Sequence, residues 1–162
     1  MAKKNKKNWY IPAGQPITEL DKKVLAFQER GVLVPPRTLI KTPEQIEGIR
    51  RSGVVNTGVL DLVASEIRAG MSTAEIDRLV YEYTMDHGAI PAPLNYEGFP
   101  KSVCTSLNNE ICHGIPDENI VLEEGDILNV DVSTILNGYY SDASRMFAIG
   151  KVSERAARLL KV

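Results

Sequence analysis

Asp131 and Asp142 lie on either side of Asn137-Gly138, within two apolar-rich runs that span Ile127 to Phe147. An Asn-Gly pair between such runs is the strongest short-range hairpin signal, because a two-residue turn needs positive φ at both central positions. With that turn, residue 136 faces residue 139 and paired positions sum to 275, which sets Asp131 opposite Ser144 and Asp142 opposite Ser133. Both carboxylates then project from one face as diagonal cross-strand neighbours, about 7–8 Å apart at Cα. Two acids side by side in a partly buried setting repel and lose hydration, so a proton, an arginine or a cation must compensate. A divalent metal fits best, since hard cations prefer oxygen ligands and two carboxylates on a rigid hairpin can bridge a pair of ions. The alternative is a solvent-exposed sheet face on which neither aspartate acts, and a longer loop around the turn would change the register.

Such a hairpin needs something to cover its other face, where Leu128, Val130, Val132, Leu136, Ala143 and Phe147 alternate with the polar Asn129, Asp131, Ser133, Asp142 and Ser144. Two helices upstream supply it. Thr42 as N-cap, Pro43 at the first helical position and Gln45 in a capping box open the first. Ile46, Ile49, Leu60, Val63 and Ile67 give it apolar positions, Gly70 suits its stop, and Gly53 and Gly58 suit close packing. Ser72 and Glu75 repeat the capping spacing, and Ile76, Leu79, Val80 and Tyr83 follow the i, i+3, i+4, i+7 pattern up to His87 and Gly88. His87, in the last turn, reads as a dipole-complementing cation or a surface residue rather than a ligand. Pro91, Pro93, Gly98 and Pro100 then break helical structure, and Val103 to Ile115 alternates loosely like a strand. The helices thus give way to a hairpin-bearing sheet.

Charge divides the chain. Residues 1–41 hold nine Lys/Arg and three Asp/Glu, a balance of +6, whereas the rest carries ten against eighteen, or −8. A basic arm can meet nucleic acid through phosphates, ribosomal RNA being one target, but Lys3, Lys4, Lys6 and Lys7 read most simply as a solvated, disordered tail. Val34, Pro35, Pro36 and Arg37 read as extended linker. With only Cys104 and Cys112, a disulfide-framed secreted module is excluded and a reducing compartment is expected. No apolar run approaches the roughly 20 residues that span a bilayer, and the basic start lacks the apolar segment of a signal peptide, so a cytoplasmic chain without a membrane partner is expected.

Four ordered motifs carry a family resemblance: Asn95-Tyr96-Glu97-Gly98-Phe99-Pro100-Lys101-Ser102-Val103-Cys104, then Cys112-His113-Gly114-Ile115-Pro116, then Glu124-Gly125-Asp126-Ile127 through Asp131, then Ser141-Asp142-Ala143-Ser144-Arg145-Met146-Phe147. From about Thr42 to its end the chain resembles the type I methionine aminopeptidases. The resemblance implies half of a pita-bread α+β fold, an antiparallel sheet with a hairpin packed on two long helices. It divides the chain into a basic extension, residues 1–41, and the N-terminal half of a catalytic domain, residues 42–162. It implies removal of initiator methionine from nascent polypeptides, with Asp131 and Asp142 bridging two divalent ions drawn from Fe, Mn, Co or Zn. His113 matches the family histidine that hydrogen-bonds the substrate and stabilises the transition state. Tyr96, Phe99 and Cys104 match the walls of the methionine pocket, where aromatic and polarizable groups suit a thioether. Cys112 acquires no role, and no DNA partner is implied.

The departures are equally specific. The family completes its metal site with a histidine and two glutamates from a second half, and this sequence stops before them. Ser153 caps a helical run from Glu154 through Arg158, Leu159 and Leu160 that meets no stop signal before Val162, so a truncated chain of little or no activity by itself is expected. Glu97 stands where several family members carry a histidine. Two other readings share these residues: a related peptidase acting on Xaa-Pro substrates, and a non-catalytic binding protein built on the same half-fold.

Overall fold

The computed structural model describes residues 9–11 and 13–161; the lysine-rich start, Lys3 to Lys7, and Val162 lie outside the described residues. The chain divides into two compact units, Met1–Glu44 and Gln45–Val162.

The first unit is built around one carboxylate. Helix α1, Glu19–Glu29, opens with Thr18 as N-cap and Asp21 at the third position of a capping box. Asp21 is fully buried. Its Oδ2 accepts from the Thr18 N–H at 2.9 Å and the Thr18 hydroxyl at 2.6 Å, while its Oδ1 accepts from the Trp9 indole at 2.9 Å and from Arg37 Nε at 3.0 Å. Arg37 opens a short 3-10 turn, Arg37–Leu39, directly after the extended Pro36. The hydrogen bonds from Thr18, and then from Arg37, hold the Asp21 carboxyl far below the ordinary carboxylate range. A depressed carboxylate contributes its stability above the unfolded value of about 4 and loses it as pH falls below that value. Acidification from pH 5 toward pH 2 is therefore expected to loosen this unit. Trp9, the only tryptophan in the chain, will report the loosening as a red shift and loss of fluorescence intensity; an unchanged spectrum across that window would contradict the assignment.

The second unit follows the helix-then-sheet order. Helix α2, Pro43–Glu66, runs unbroken through Gly53 and Gly58, and at position 58 a Cβ would collide with the Tyr83 hydroxyl of the neighbouring helix. Its end comes at Glu66 rather than at Gly70, because the following backbone is drawn into other pairings: Gly70 N–H donates to the Leu122 carbonyl at 2.8 Å, and Leu122 N–H donates to that of Met71 at 2.9 Å. Helix α3, Thr73–Asp86, has the expected Ser72–Glu75 capping box. It ends at His87, whose ring stacks on Tyr83 with centroids 3.9 Å apart and whose Nδ1 lies 2.7 Å from the Tyr83 carbonyl.

Four antiparallel strands follow: β1 (Ile90–Pro91), β2 (Cys104–Leu107), β3 (Ile127–Leu136) and β4 (Tyr139–Ala148). β3 is central, with β4 along one side and β1 and β2 sharing the other. Asn137 and Gly138 have φ of 51° and 81°, the two positive values that a two-residue turn demands. The register is the expected one, with Asp131 level with Ser144 and Ser133 level with Asp142. Only four residues of the Val103 to Ile115 stretch form strand; Asn108, with φ 51°, turns the chain back so that Thr105 N–H meets the Gly114 carbonyl at 2.9 Å.

Beneath the sheet, Val59, Leu60 and Val63 of α2 and Ile76 and Val80 of α3 pack with Leu128, Val130, Val132 and Phe147 into one apolar cluster. Polar side chains align the layers. Asn56 Nδ2 donates to the Val132 carbonyl at 2.7 Å, and Ser52 Oγ donates to that of Thr134 at 3.1 Å, so α2 is pinned to the back of β3. A last short helix, α4 (Glu154–Leu159), is capped by Ser153, whose Oγ accepts from Ala156 N–H. No described helix is long and apolar enough to cross a membrane.

Candidate metal centre

With one face of the hairpin committed to the core, alternation sends Asp131 and Asp142 to the other. Asp131 is half-buried in the middle of β3, and Asp142 is exposed on β4. Ser133 Oγ donates to Asp142 Oδ1 at 2.7 Å. Burial, and after it the negative charge of Asp142, pushes the Asp131 carboxyl up, while the neighbouring His113 works the other way. Of the three possible compensators, arginine is eliminated among the described residues. Arg145, the one on the hairpin, extends beneath the sheet to the Asp61 carboxylate at 2.9 Å and the Leu60 carbonyl at 3.2 Å.

β2 brings the next group. Cys104 pairs with Asp131 in register, so its side chain shares the aspartate's row and face, and it is buried there. Burial first, and then the charge of Asp131, pushes its thiol up to about 11, so at neutral pH Cys104 is an uncharged, polarizable wall and not a thiolate. Cys112 is exposed nearby.

His113 sits on the loop that folds back along β2, with φ 58°. That uncommon conformation is fixed by its neighbour. Gly114 N–H donates to Ser106 Oγ at 3.2 Å, its carbonyl accepts from Thr105 N–H, and a Cβ at this position would run into the Thr105 carbonyl and the Glu110 carboxylate. A glycine here lets the loop lie against the strand and delivers the imidazole to the sheet face.

The opposite wall is a short turn, Tyr96–Gly98, flanked by the left-handed Asn95 and closed by hydrogen bonds from Asn95 N–H to the Phe99 carbonyl at 2.8 Å and from Phe99 N–H to that of Tyr96 at 2.9 Å. Together these pieces enclose a cleft of about 790 Å³ that is lined by Tyr96, Phe99, Cys104, His113, Asp131 and Asp142, the six residues singled out from the sequence. Glu97, Ser133, Ile115 and Tyr140 also line it. Tyr140 escaped the sequence reading although it shares Asp142's parity on β4, the one signal that could have found it.

Two carboxylates that face one cleft with no Lys or Arg partner among the described residues suit a divalent cation, because their oxygens are hard donors and their mutual repulsion falls when one binds. They form a partial ligand set. Among the described residues, no three of the His, Cys, Asp and Glu side chains come together as a complete metal site.

Residues 47–162 match the sequence model of metallopeptidase family M24. The chain is 53% identical over 118 residues to a methionine aminopeptidase of Chlamydia trachomatis, a match covering 72% of this chain and 40% of that protein. It is 46% identical over 124 residues to a methionine aminopeptidase of Clostridium acetobutylicum, covering 76% and 50%. The crystal structure of methionine aminopeptidase from Rickettsia prowazekii superposes with a TM-score of 0.73 at 41% identity, covering 75% of this chain and 49% of that one. This chain thus spans about half the length of the relatives it matches. The shared architecture is half of the pita-bread α+β fold.

Proposed function

From the premise that the chain belongs to metallopeptidase family M24, we propose that it carries the two-aspartate half of a methionine aminopeptidase site, one that removes initiator methionine from nascent polypeptides. Residues 42–162 form that half domain, and residues 1–41 form a basic extension. The observation that carries this reading is the convergence of six residues from four separated motifs on one cleft.

Asp131 and Asp142 would supply two of the ligands for a pair of divalent ions, Fe, Mn, Co or Zn, in the complete site. When bound, the ions supply Lewis-acid polarisation of the scissile carbonyl and an acidified water. The protein's own groups do the rest. His113 hydrogen-bonds the substrate beside the scissile bond, a role its position on the rim of the metal face supports. Tyr96, Phe99 and Cys104 receive the methionine side chain; the neutral thiol offers a polarizable contact without competing for metal. Substrates are nascent chains in the cytoplasm, and the +6 balance of residues 1–41 supports a phosphate-rich partner such as ribosomal RNA.

Two carboxylates alone hold catalytic metal poorly, so turnover requires further ligands of the kind that the other half of the relatives' length can supply. The 162-residue chain, incubated with Mn²⁺ or Co²⁺ and a Met-Ala peptide, is expected to release methionine at well under about 1 s⁻¹, the lower end for ordinary enzymes. Chelator-sensitive release at or above that rate would show that the described ligands suffice.

A further inference from the structure

Helix α2 meets the tip half of the hairpin through small and polar residues instead of apolar ones. Gly48, Ser52 and Asn56 recur at four-residue spacing and so form one stripe down the helix. A Cβ at Gly48 would run into the Tyr139 ring, and Ser52 and Asn56 are both buried. With its one hydrogen on the Thr134 carbonyl, Ser52 Oγ accepts from the Ser141 hydroxyl at 2.7 Å. Asn56 Nδ2 donates to the Val132 carbonyl and also lies 3.2 Å from Thr134 Oγ1 and 3.5 Å from the Ser141 carbonyl. Its Oδ1 is buried with no partner among the described residues, so as filler the amide is worse than an apolar side chain of the same size. What it contributes is its donors.

Those donors act beside the aspartates. Val132 directly follows Asp131, Ser141 directly precedes Asp142, and Thr134 and Ser141 are level across the hairpin. The two helix side chains therefore hold both strands from behind the carboxylate pair. β3 is also least supported by its other neighbours at this point. β2 pairs with it from Leu128 to Asp131 and β1 at Thr134 and Ile135, so no residue of either strand is level with Val132 or Ser133. Between those two ladders the Ala92 N–H, from the loop, donates to the Ser133 carbonyl at 2.8 Å.

We infer that Ser52 and Asn56 are positioning residues for the metal pair, fixing the separation of Asp131 and Asp142 through the backbone of the two strands that bear them. The inference rests on the reading of those aspartates as metal ligands. A ligand constellation works only when its members are held to about 0.5 Å. Losing a group that orients a ligand directly lowers metal affinity by about 10–100-fold, and a group acting one step further away, through the backbone, is expected to cost about threefold to tenfold.

The test titrates the full chain with Mn²⁺, reading bound metal from loss of the aqueous Mn²⁺ EPR signal, and records amide ¹⁵N relaxation dispersion in chelator. Asn56→Leu keeps the volume and removes the donors; Ser52→Ala is the milder change should the first variant fail to fold. Either is expected to weaken Mn²⁺ binding by about threefold to tenfold and to bring μs–ms exchange to the amides of residues 131–133 and 141–143. Val80→Ala, a truncation in the same core but on α3, should lower stability while leaving Mn²⁺ affinity within about twofold. Unchanged affinity in either folded variant, exchange spread over the whole core, or an equal loss in Val80→Ala overturns the inference while the metal reading stands. A wild-type chain that binds Mn²⁺ no more tightly than Asp131→Asn overturns the metal reading, and this inference with it.

Discussion

Replacing Asp131 with asparagine is expected to weaken the already low Mn²⁺ affinity of this partial ligand set by about tenfold or more while leaving the metal-free fold at least as stable as wild type. The two halves of that expectation come from the same geometry. Asp131 supplies one of two carboxylates on the cleft face, and an amide oxygen without charge would hold a hard cation less well. The carboxyl accepts no hydrogen bond from the described residues, and burial together with Asp142 disfavours its charged form in the folded state. Removing the charge therefore relieves repulsion instead of breaking a partnership. Titration calorimetry with Mn²⁺ measures the first effect, and thermal unfolding in chelator measures the second. A melting temperature several degrees lower in chelator, with Mn²⁺ binding retained, would make Asp131 a structural residue and remove the basis for the metal centre.

The second large effect lies on the other face of the same strand. Leu128 is fully buried in the apolar cluster, and Leu128→Ala is expected to cost about 2–5 kcal/mol in urea unfolding, the usual range for a truncation that leaves a cavity. Met146 pairs with Asn129 on the face that carries Asp131 and is 40% exposed, so Met146→Ala should stay within about 0.5 kcal/mol. Equal losses at the two positions would mean that the faces are assigned the wrong way round. Because β3 carries strand partners on both sides, weakening its core contacts should also lower metal affinity through Asp131, although Leu128 lies on the opposite face.

The hairpin could be read in advance because a two-residue Asn-Gly turn fixes parity, and parity alone decides which face each of Asp131 and Asp142 takes. The helix starts were legible for a similar reason, since caps such as Ser72 with Glu75 are local chemistry. What lay out of reach depends on contacts distant in sequence. Nothing near Cys104 announces that β2 will pair with β3 so as to set the thiol level with Asp131. Asn95 and His113 are of types that tolerate left-handed backbone, but Glu97 is not, and its conformation is imposed by the turn around it. Helix α1 has no counterpart in the sequence reading, although Thr18 and Asp21 carry the capping-box spacing. The end of α2 was misplaced toward Gly70 because pairing with residues 120–122 overrides the local stop.

The bond between Thr105 N–H and the Gly114 carbonyl joins the histidine loop to the strand that bears Cys104, and that strand is in turn laddered to β3. Imidazole, thiol and carboxylate consequently ride on one continuous backbone lattice. Any local opening that separates them must first break main-chain hydrogen bonds.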